Sequence, residues 1–210
     1  MRKLLLFVLT LNACQNNPPV NQANVWTEFD RNLLVTELTE IRDTLLWETQ
    51  SLTMDQWSFR AKPDSWCIGE VIEHLALHDA LFFREIRSTS SLYPPTPLAD
   101  TLLDEDHYLW DYAQITTVNS GKAPWYLDPA DYWCSPEQAW SKYVITHDAY
   151  IDFIGQTDRN LRAFYSTNGR GKKPYRDLHQ LTLVSIAHAK RHITQIQNIK
   201  SHHGFPDSEN

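Results

Sequence analysis

Asp177-Leu178-His179-Gln180-Leu181-Thr182-Leu183-Val184-Ser185-Ile186-Ala187-His188-Ala189-Lys190-Arg191-His192-Ile193-Thr194-Gln195-Ile196-Gln197-Asn198-Ile199-Lys200 is the stretch that decides the fold. It contains neither glycine nor proline. Leu178, Leu181, Val184, His188, His192, Gln195 and Ile199 follow one another at steps of three or four residues, the period of one helical face. Asp177 is placed to cap the start, Gly204 closes the segment, and Pro206 prevents its continuation. The spacing predicts a helix from about Asp177 to Lys200.

Three more segments carry the same period. From about Asn24 to Leu52, Trp26, Phe29, Leu33, Leu38, Ile41 and Leu45 mark one face, and Pro63 then breaks the chain. From about Cys67 to Ser88 the marks are Ile68, Val71, Leu75, Phe82 and Ile86. The third segment starts at Ser135-Pro136-Glu137-Gln138, which offers a capping serine, proline in the first turn and glutamine at N3. Trp140, Val144, His147, Ile151 and Ile154 follow. Only 6 of the 210 residues are glycine, too few for a turn-rich β sandwich or barrel. The expected fold class is therefore all-α, a four-helix bundle. The first two helices should be antiparallel. Residues 89–134 are far longer than a helix hairpin needs, and as a long crossover between helices two and three they would let those helices run parallel. Cys67 and Cys134 would then sit at neighbouring helix N-termini, and a disulfide between them is left open.

Hydrophobic residues make up 42% of the chain, enough for a core, so disorder is excluded. The net charge is −7 and no basic stripe is visible, which argues against a nucleic-acid partner. No CxxC pair suggests a structural zinc site. The N-terminus reads as a leader: Met1-Arg2-Lys3 precedes the apolar run Leu4 to Leu11, too short to span a hydrocarbon core of roughly 30 Å. Leu11-Asn12-Ala13-Cys14 resembles the lipobox of bacterial lipoproteins, in which the cysteine is lipidated. The expected organisation is a signal peptide over 1–13, a polar tether over 14–23, the bundle domain over 24–206 and a tail over 207–210. Cleavage before Cys14 removes Arg2 and Lys3 and no acid, taking the charge from −7 to −9. The mature chain would be held in the cell envelope by its N-terminal lipid, on the periplasmic or outer-membrane face. Without that signal it would be cytoplasmic.

The nine histidines divide by context. His188 and His192 are four apart on one helix, which places both rings on one face, one turn apart, where they can share a metal ion. Ala189 follows His188 where a zinc peptidase of the HExxH type has its glutamate, so that activity is disfavoured. A third ligand would come from another helix. His74, beside Val71, Leu75 and His78, faces inward, either as that ligand or as a buried histidine bonded to a neighbour. His78 is an alternative ligand one turn along. His107, His202 and His203 are expected to be solvated, and His147 and His179 either line the pocket or face water.

Trp66-Cys67-Ile68-Gly69-Glu70-Val71-Ile72-Glu73-His74-Leu75 resembles the second-helix signature of the DinB-like (DinB/YfiT-like) superfamily, and Ala187-His188-Ala189-Lys190-Arg191-His192-Ile193-Thr194-Gln195-Ile196 resembles its last-helix signature. Leu52-Thr53-Met54-Asp55-Gln56-Trp57 and Gly204-Phe205-Pro206 are similar to the family as well, so the likeness runs from about residue 24 to 206. It implies a four-helix bundle with a three-histidine metal site made of His74, His188 and His192. Cys67 departs from the family's usual Ser or Thr. Several family members are thiol-dependent transferases or isomerases, an activity poorly suited to an envelope location.

Three neutral imidazoles leave a coordination position free, an arrangement suited to catalysis rather than structure. Zn²⁺, Ni²⁺ and Fe²⁺ all accept such ligands, so the sequence implies a divalent metal without naming it. Glu70, His78 and Gln195 lie within a turn of the ligands and are candidates to orient them. Tyr93, Tyr108, Trp110, Tyr112, Trp125, Tyr126, Tyr132 and Trp133 either wall a pocket or, the favoured reading, pack the long connection onto the bundle. The Gly169–Lys173 loop lacks Walker spacing and reads as a solvated turn. The expected function is a metal-dependent hydrolase or transferase acting on a small-molecule substrate that the sequence does not name. The alternatives are a non-catalytic metal- or ligand-binding envelope lipoprotein and a bundle whose histidines only fill the core. A homodimer is compatible with all three.

Overall fold

A computed structural model of the protein describes residues 25–95, 106, 123, 125–129, 135–166 and 176–208. Within them lie five α-helices: α1 (Glu28–Thr49), α2 (Met54–Ser58), α3 (Ile68–Leu92), α4 (Pro136–Gln156) and α5 (Leu178–Lys200). A 3-10 turn over Leu161–Ala163 leads to two short antiparallel strands, β1 (Tyr165–Ser166) and β2 (Arg176–Asp177). Helix starts follow the side chains that can satisfy free backbone N–H groups. The Asp177 carboxylate accepts from the Gln180 N–H at 2.7 Å, and Ser135 Oγ accepts from the Gln138 N–H at 3.3 Å. Two more caps shorten the first segment at both ends. Thr27 and Asp30 form a reciprocal capping box that delays α1 to Glu28, and Thr53 and Gln56 form another that starts α2 as a separate turn.

Residue pairs across the bundle give its directions. Along α3 and α4, Asp79 meets His147, Phe83 meets Tyr150 and Phe153, and the Ser90 carbonyl beyond them receives Arg159. Both numbers rise together, so α3 and α4 are parallel. α1 opposes α4, since Arg31 donates to the Ile154 carbonyl while Arg42 pairs with Asp148. α5 runs with α1, with Trp26 on His179 at one end and Lys200 on Glu48 at the other. It runs against α3, because Trp66 stacks near His192 and His78 near His188. The order is up, down, down, up, as the long crossover requires. Leu34, Leu38, Ile41, Ile68, Ile72, Leu75, Ile154, Ile186 and Ile196 fill the interior. Among the described helices none is long and apolar enough to cross a membrane. The leader, Cys14 and the tether lie outside the described residues.

Two buried polar groups fix the helices to one another. In the first, His147 donates from Nδ1 to Asp79 Oδ2 at 2.6 Å and from Nε2 to the Leu38 carbonyl at 2.8 Å. Burial opposes charge on both groups, but their mutual attraction prevails: the Asp79 carboxyl is held below the usual range and the His147 imidazolium above it. The second lies around Arg162, which reaches Asp30 and Asp106 at 2.7 Å each and Asp177 at 3.5 Å. Asp106 belongs to the crossover, so Arg162 and Gln180 tie that segment to the bundle. Burial raises the Asp177 carboxyl to about 6 despite its cap and Arg162. His179 accepts from Trp26 Nε1 at 3.2 Å, which leaves its Nε2–H facing the carboxylates. Burial, reinforced by Arg162, drives it down to about 4. His147 and His179 therefore neither line a pocket nor face water; both are only 1% exposed, His147 bonded to Asp79 and the Leu38 carbonyl and His179 to the Trp26 indole.

Candidate metal centre

The α5 backbone sets His188 and His192 one turn apart, and the antiparallel α3 brings His74 opposite them. One ring nitrogen from each of the three lies within 4.8 Å of the others. His74 and His192 are buried and His188 is half-buried. His74 Nδ1 is 2.6 Å from the Leu127 carbonyl, an acceptor only, so Nδ1 carries the hydrogen and Nε2 presents a lone pair. His192 repeats the device: Nδ1–H donates to Gln195 Oε1 at 2.8 Å, so Nε2 carries the lone pair, with Arg191 Nη2 3.5 Å away. The Nε2 atoms of His74 and His188 are 2.9 Å apart. Two lone pairs cannot face each other at that distance, so His188 donates its Nε2–H to His74. Moving that proton to His188 Nδ1 would turn all three Nε2 lone pairs to a common point.

Burial is the main reason the three rings stay neutral. It pushes His74 down to about 4 and His192 down to about 3, and His188 well below its ordinary value. The positive charges that the neighbouring histidines and Arg191 would add act in the same direction. None of the three rings thus carries a second proton at neutral pH, so none brings a positive charge that would repel a metal. Three neutral nitrogen donors with no carboxylate among them fit a borderline divalent ion with a coordination position left over.

Of the residues expected to orient the ligands, Gln195 does so through its bond to His192. His78 stacks between Phe82 and His188, with ring centroids 4.0 and 4.1 Å away, and packs the ring of His188 without presenting a nitrogen to the shared point. Glu70 is a correction. It binds Arg60 at 2.5 and 2.8 Å and the Cys67 N–H at 2.8 Å, so its work is to start α3. Cys67 is a buried, free thiol, and Cys134 lies outside the described residues. Trp66, in the quoted signature but given no role, covers His74 at 4.8 Å and His192 at 6.2 Å between ring centroids. The Leu127 carbonyl has no sequence signature at all. Of the crossover aromatics, Tyr93, Trp125 and Tyr126 are exposed rather than packed on the bundle, while Tyr108, Trp110, Tyr112, Tyr132 and Trp133 lie outside the described residues. So do His107 and the Gly169–Lys173 loop. His203 is exposed, and His202 is half-buried against Phe59.

The family model described as the DinB superfamily matches residues 37–196, most of the chain and all three histidines. The chain belongs to the DinB superfamily. Among solved structures it is similar to YfiT from Bacillus subtilis, at 14% identity and a TM-score of 0.57, covering 86% of this chain and 91% of that one. YfiT is described as a probable metal-dependent hydrolase with an unusual four-helix bundle topology. At that identity the likeness speaks for the fold, which in this DinB chain has the parallel α3–α4 pair derived above. No curated protein matches the chain.

Proposed function

We propose that the chain is a divalent-metal-dependent hydrolase or transferase whose metal is held by His74, His188 and His192. The observation that carries this reading is the convergence of three neutral imidazoles, two of them buried and with their outer nitrogen engaged by Leu127 and Gln195. Such outer bonds fix the tautomer and aim of a ligand. Membership of the DinB superfamily and the description of YfiT support the same class. When bound, the metal supplies Lewis-acid activation of a nucleophile or carbonyl at neutral pH. The chain contributes the rest. Leu127 and Gln195 orient the ligand rings, His78 and Phe82 stack behind His188, and Trp66 keeps water from the faces of His74 and His192. The lipobox-like Leu11-Asn12-Ala13-Cys14 supports placing this activity in the cell envelope on a lipid attached to Cys14.

The test is turnover by the purified domain on ester, amide and thiol-transfer panels. Activity lost to a chelator, restored by Zn²⁺, Ni²⁺ or Fe²⁺ and absent in His188→Ala is the expected result. A metal-loaded protein inert on every panel would favour a non-catalytic binding role instead.

A further inference from the structure

The turn that orients His74 brings more to the centre than a carbonyl. It reads Trp125-Tyr126-Leu127-Asp128, and Leu127 is its anchor, 8% exposed with its carbonyl on His74 Nδ1. The residues around the anchor are left in water: Trp125 is 86% exposed, Tyr126 51%, and Asp128 is exposed. The two rings meet edge to face, with centroids 5.7 Å apart and planes at 86°, so each steadies the other and their faces bound an aromatic corner. The face of an aromatic ring carries negative charge density and attracts cations. Asp128 adds a carboxylate on the same turn, and its charge reaches His74, where it favours the protonated ring. Arg191, whose charge opposes it there, lies on α5 beside His192, so the crossover side of the centre is the one that favours a cation. The chain as a whole, at −7, also draws in cations rather than anions. Tyr126 and Asp128 are each a single residue from Leu127 and Trp125 is two, which puts the corner and the carboxylate on the order of 10 Å from the point the three histidines share.

We propose that Trp125, Tyr126 and Asp128 form a subsite for an ammonium group, and that the substrate is a cationic small molecule whose ammonium rests there while its reacting bond lies at the metal. This deepens the three-histidine reading above and rests on it. The ammonium lies against the ring faces, and Asp128 is its counter-charge. A neutral molecule of the same shape keeps only its apolar contact with the rings. Because Leu127 ties the turn to His74, the subsite holds a fixed position relative to the centre, and it selects substrates by the distance between their ammonium and their reacting bond.

The experiment titrates the whole Zn²⁺-loaded domain calorimetrically with choline and with its uncharged isostere 3,3-dimethylbutan-1-ol. Wild type should bind choline at least about fivefold more tightly than the isostere, the scale of a cation–π contact joined by an ion pair. Trp125→Ala and Asp128→Asn should each weaken choline about threefold or more, and Trp125→Phe, which keeps a ring face, should recover most of the loss. Asp128→Asn should leave the isostere unchanged. In the Co²⁺-loaded domain the methyl protons of bound choline should relax faster than in the Zn²⁺ form, which places the ammonium beside the metal. Equal affinity for choline and the isostere, a preference that survives both substitutions, or no faster relaxation with Co²⁺ would each overturn the proposal, and metal content of the same samples shows whether the three-histidine centre stands. Saturable binding of N-acetylglucosamine without any of choline would overturn it in favour of sugar stacking on the same rings. Failure of wild type to take up Zn²⁺ or Co²⁺ would overturn the three-histidine reading and the subsite with it.

Discussion

Replacing Asp79 by alanine tests the buried pair that joins α3 to α4 and α1. His147 is 1% exposed and Asp79 3%, so water cannot substitute for either partner. Removing one member of a buried ion pair costs about 3–5 kcal/mol. His147 has a partial escape. It can lose a proton, keep Nε2–H on the Leu38 carbonyl, and leave only the Nδ1 lone pair unsatisfied, itself worth about 1–3 kcal/mol. The expected loss for Asp79→Ala is therefore at the lower end, about 3 kcal/mol, or a fall in Tm of about 6–12 °C. Asp79→Asn should recover more than half of this, because its amide N–H can donate to Nδ1 of a neutral His147. The pH dependence carries a sign. His147 has a raised folded-state pKa, so the stability it confers is complete below about 6.5 and is lost as pH rises through the folded value. That alkaline loss should be present in wild type and absent in Asp79→Ala. Urea unfolding followed by tryptophan fluorescence at pH 6 and pH 8.5 measures both effects. An alanine variant within 1 kcal/mol of wild type, or an asparagine variant no better than alanine, would refute the reasoning.

Other perturbations probe the centre and its supports. Gln195→Ala frees His192 to rotate and should weaken metal binding by about 10–100-fold, read by competition with a chromophoric chelator, with little change in the melting of the metal-free form. His74, His179 and His192 have depressed folded-state pKa values of about 4, about 4 and about 3. The stability they confer is present above 6.5 and is lost as pH falls toward 4, at up to about 1.4 kcal/mol per histidine per pH unit. Denaturant midpoints of the metal-free protein should thus drop steeply between pH 6.5 and 4.5. Metal affinity of the folded protein should stay flat from pH 8 through 6.5, where free histidines begin to take up protons, because the ligands' folded-state values lie well below it. Gly69→Ala would drive a Cβ into the Trp57 indole, separating α2 from the start of α3, and should cost about 1–3 kcal/mol in urea unfolding.

The bundle was legible because its determinants are local. The stripe from Leu178 to Ile199, the Ser135-Pro136 start and the length of residues 89–134 each act through neighbouring residues, and together they imply four helices with α3 parallel to α4. The α1 boundaries were less legible, because Thr27 and Thr53 look like ordinary polar residues until each is seen beside its Asp30 or Gln56 partner. At the centre, the step from His188 to His192 is a helix property and could be read directly. His74 needed the resemblance, since an inward histidine on an apolar face is equally consistent with a core role, and that is the role His147 plays with Asp79, 68 residues away in sequence. Leu127 was out of reach for another reason. Its contribution is a backbone carbonyl delivered by the crossover, and any residue could supply it. Glu70 was misplaced because a glutamate one turn from His74 can look equally toward a metal or toward its own helix start. Arg60 and the Cys67 N–H decide for the latter.

Metal content of the purified domain tests the central claim most directly. Elemental analysis of wild type beside His188→Ala, both expressed and dialysed alike, should give close to one divalent ion per chain in the first and little in the second, with both folded by circular dichroism. Wild type without metal after exposure to Zn²⁺, Ni²⁺ and Fe²⁺, or equal metal in the two proteins, would contradict a centre built on His74, His188 and His192.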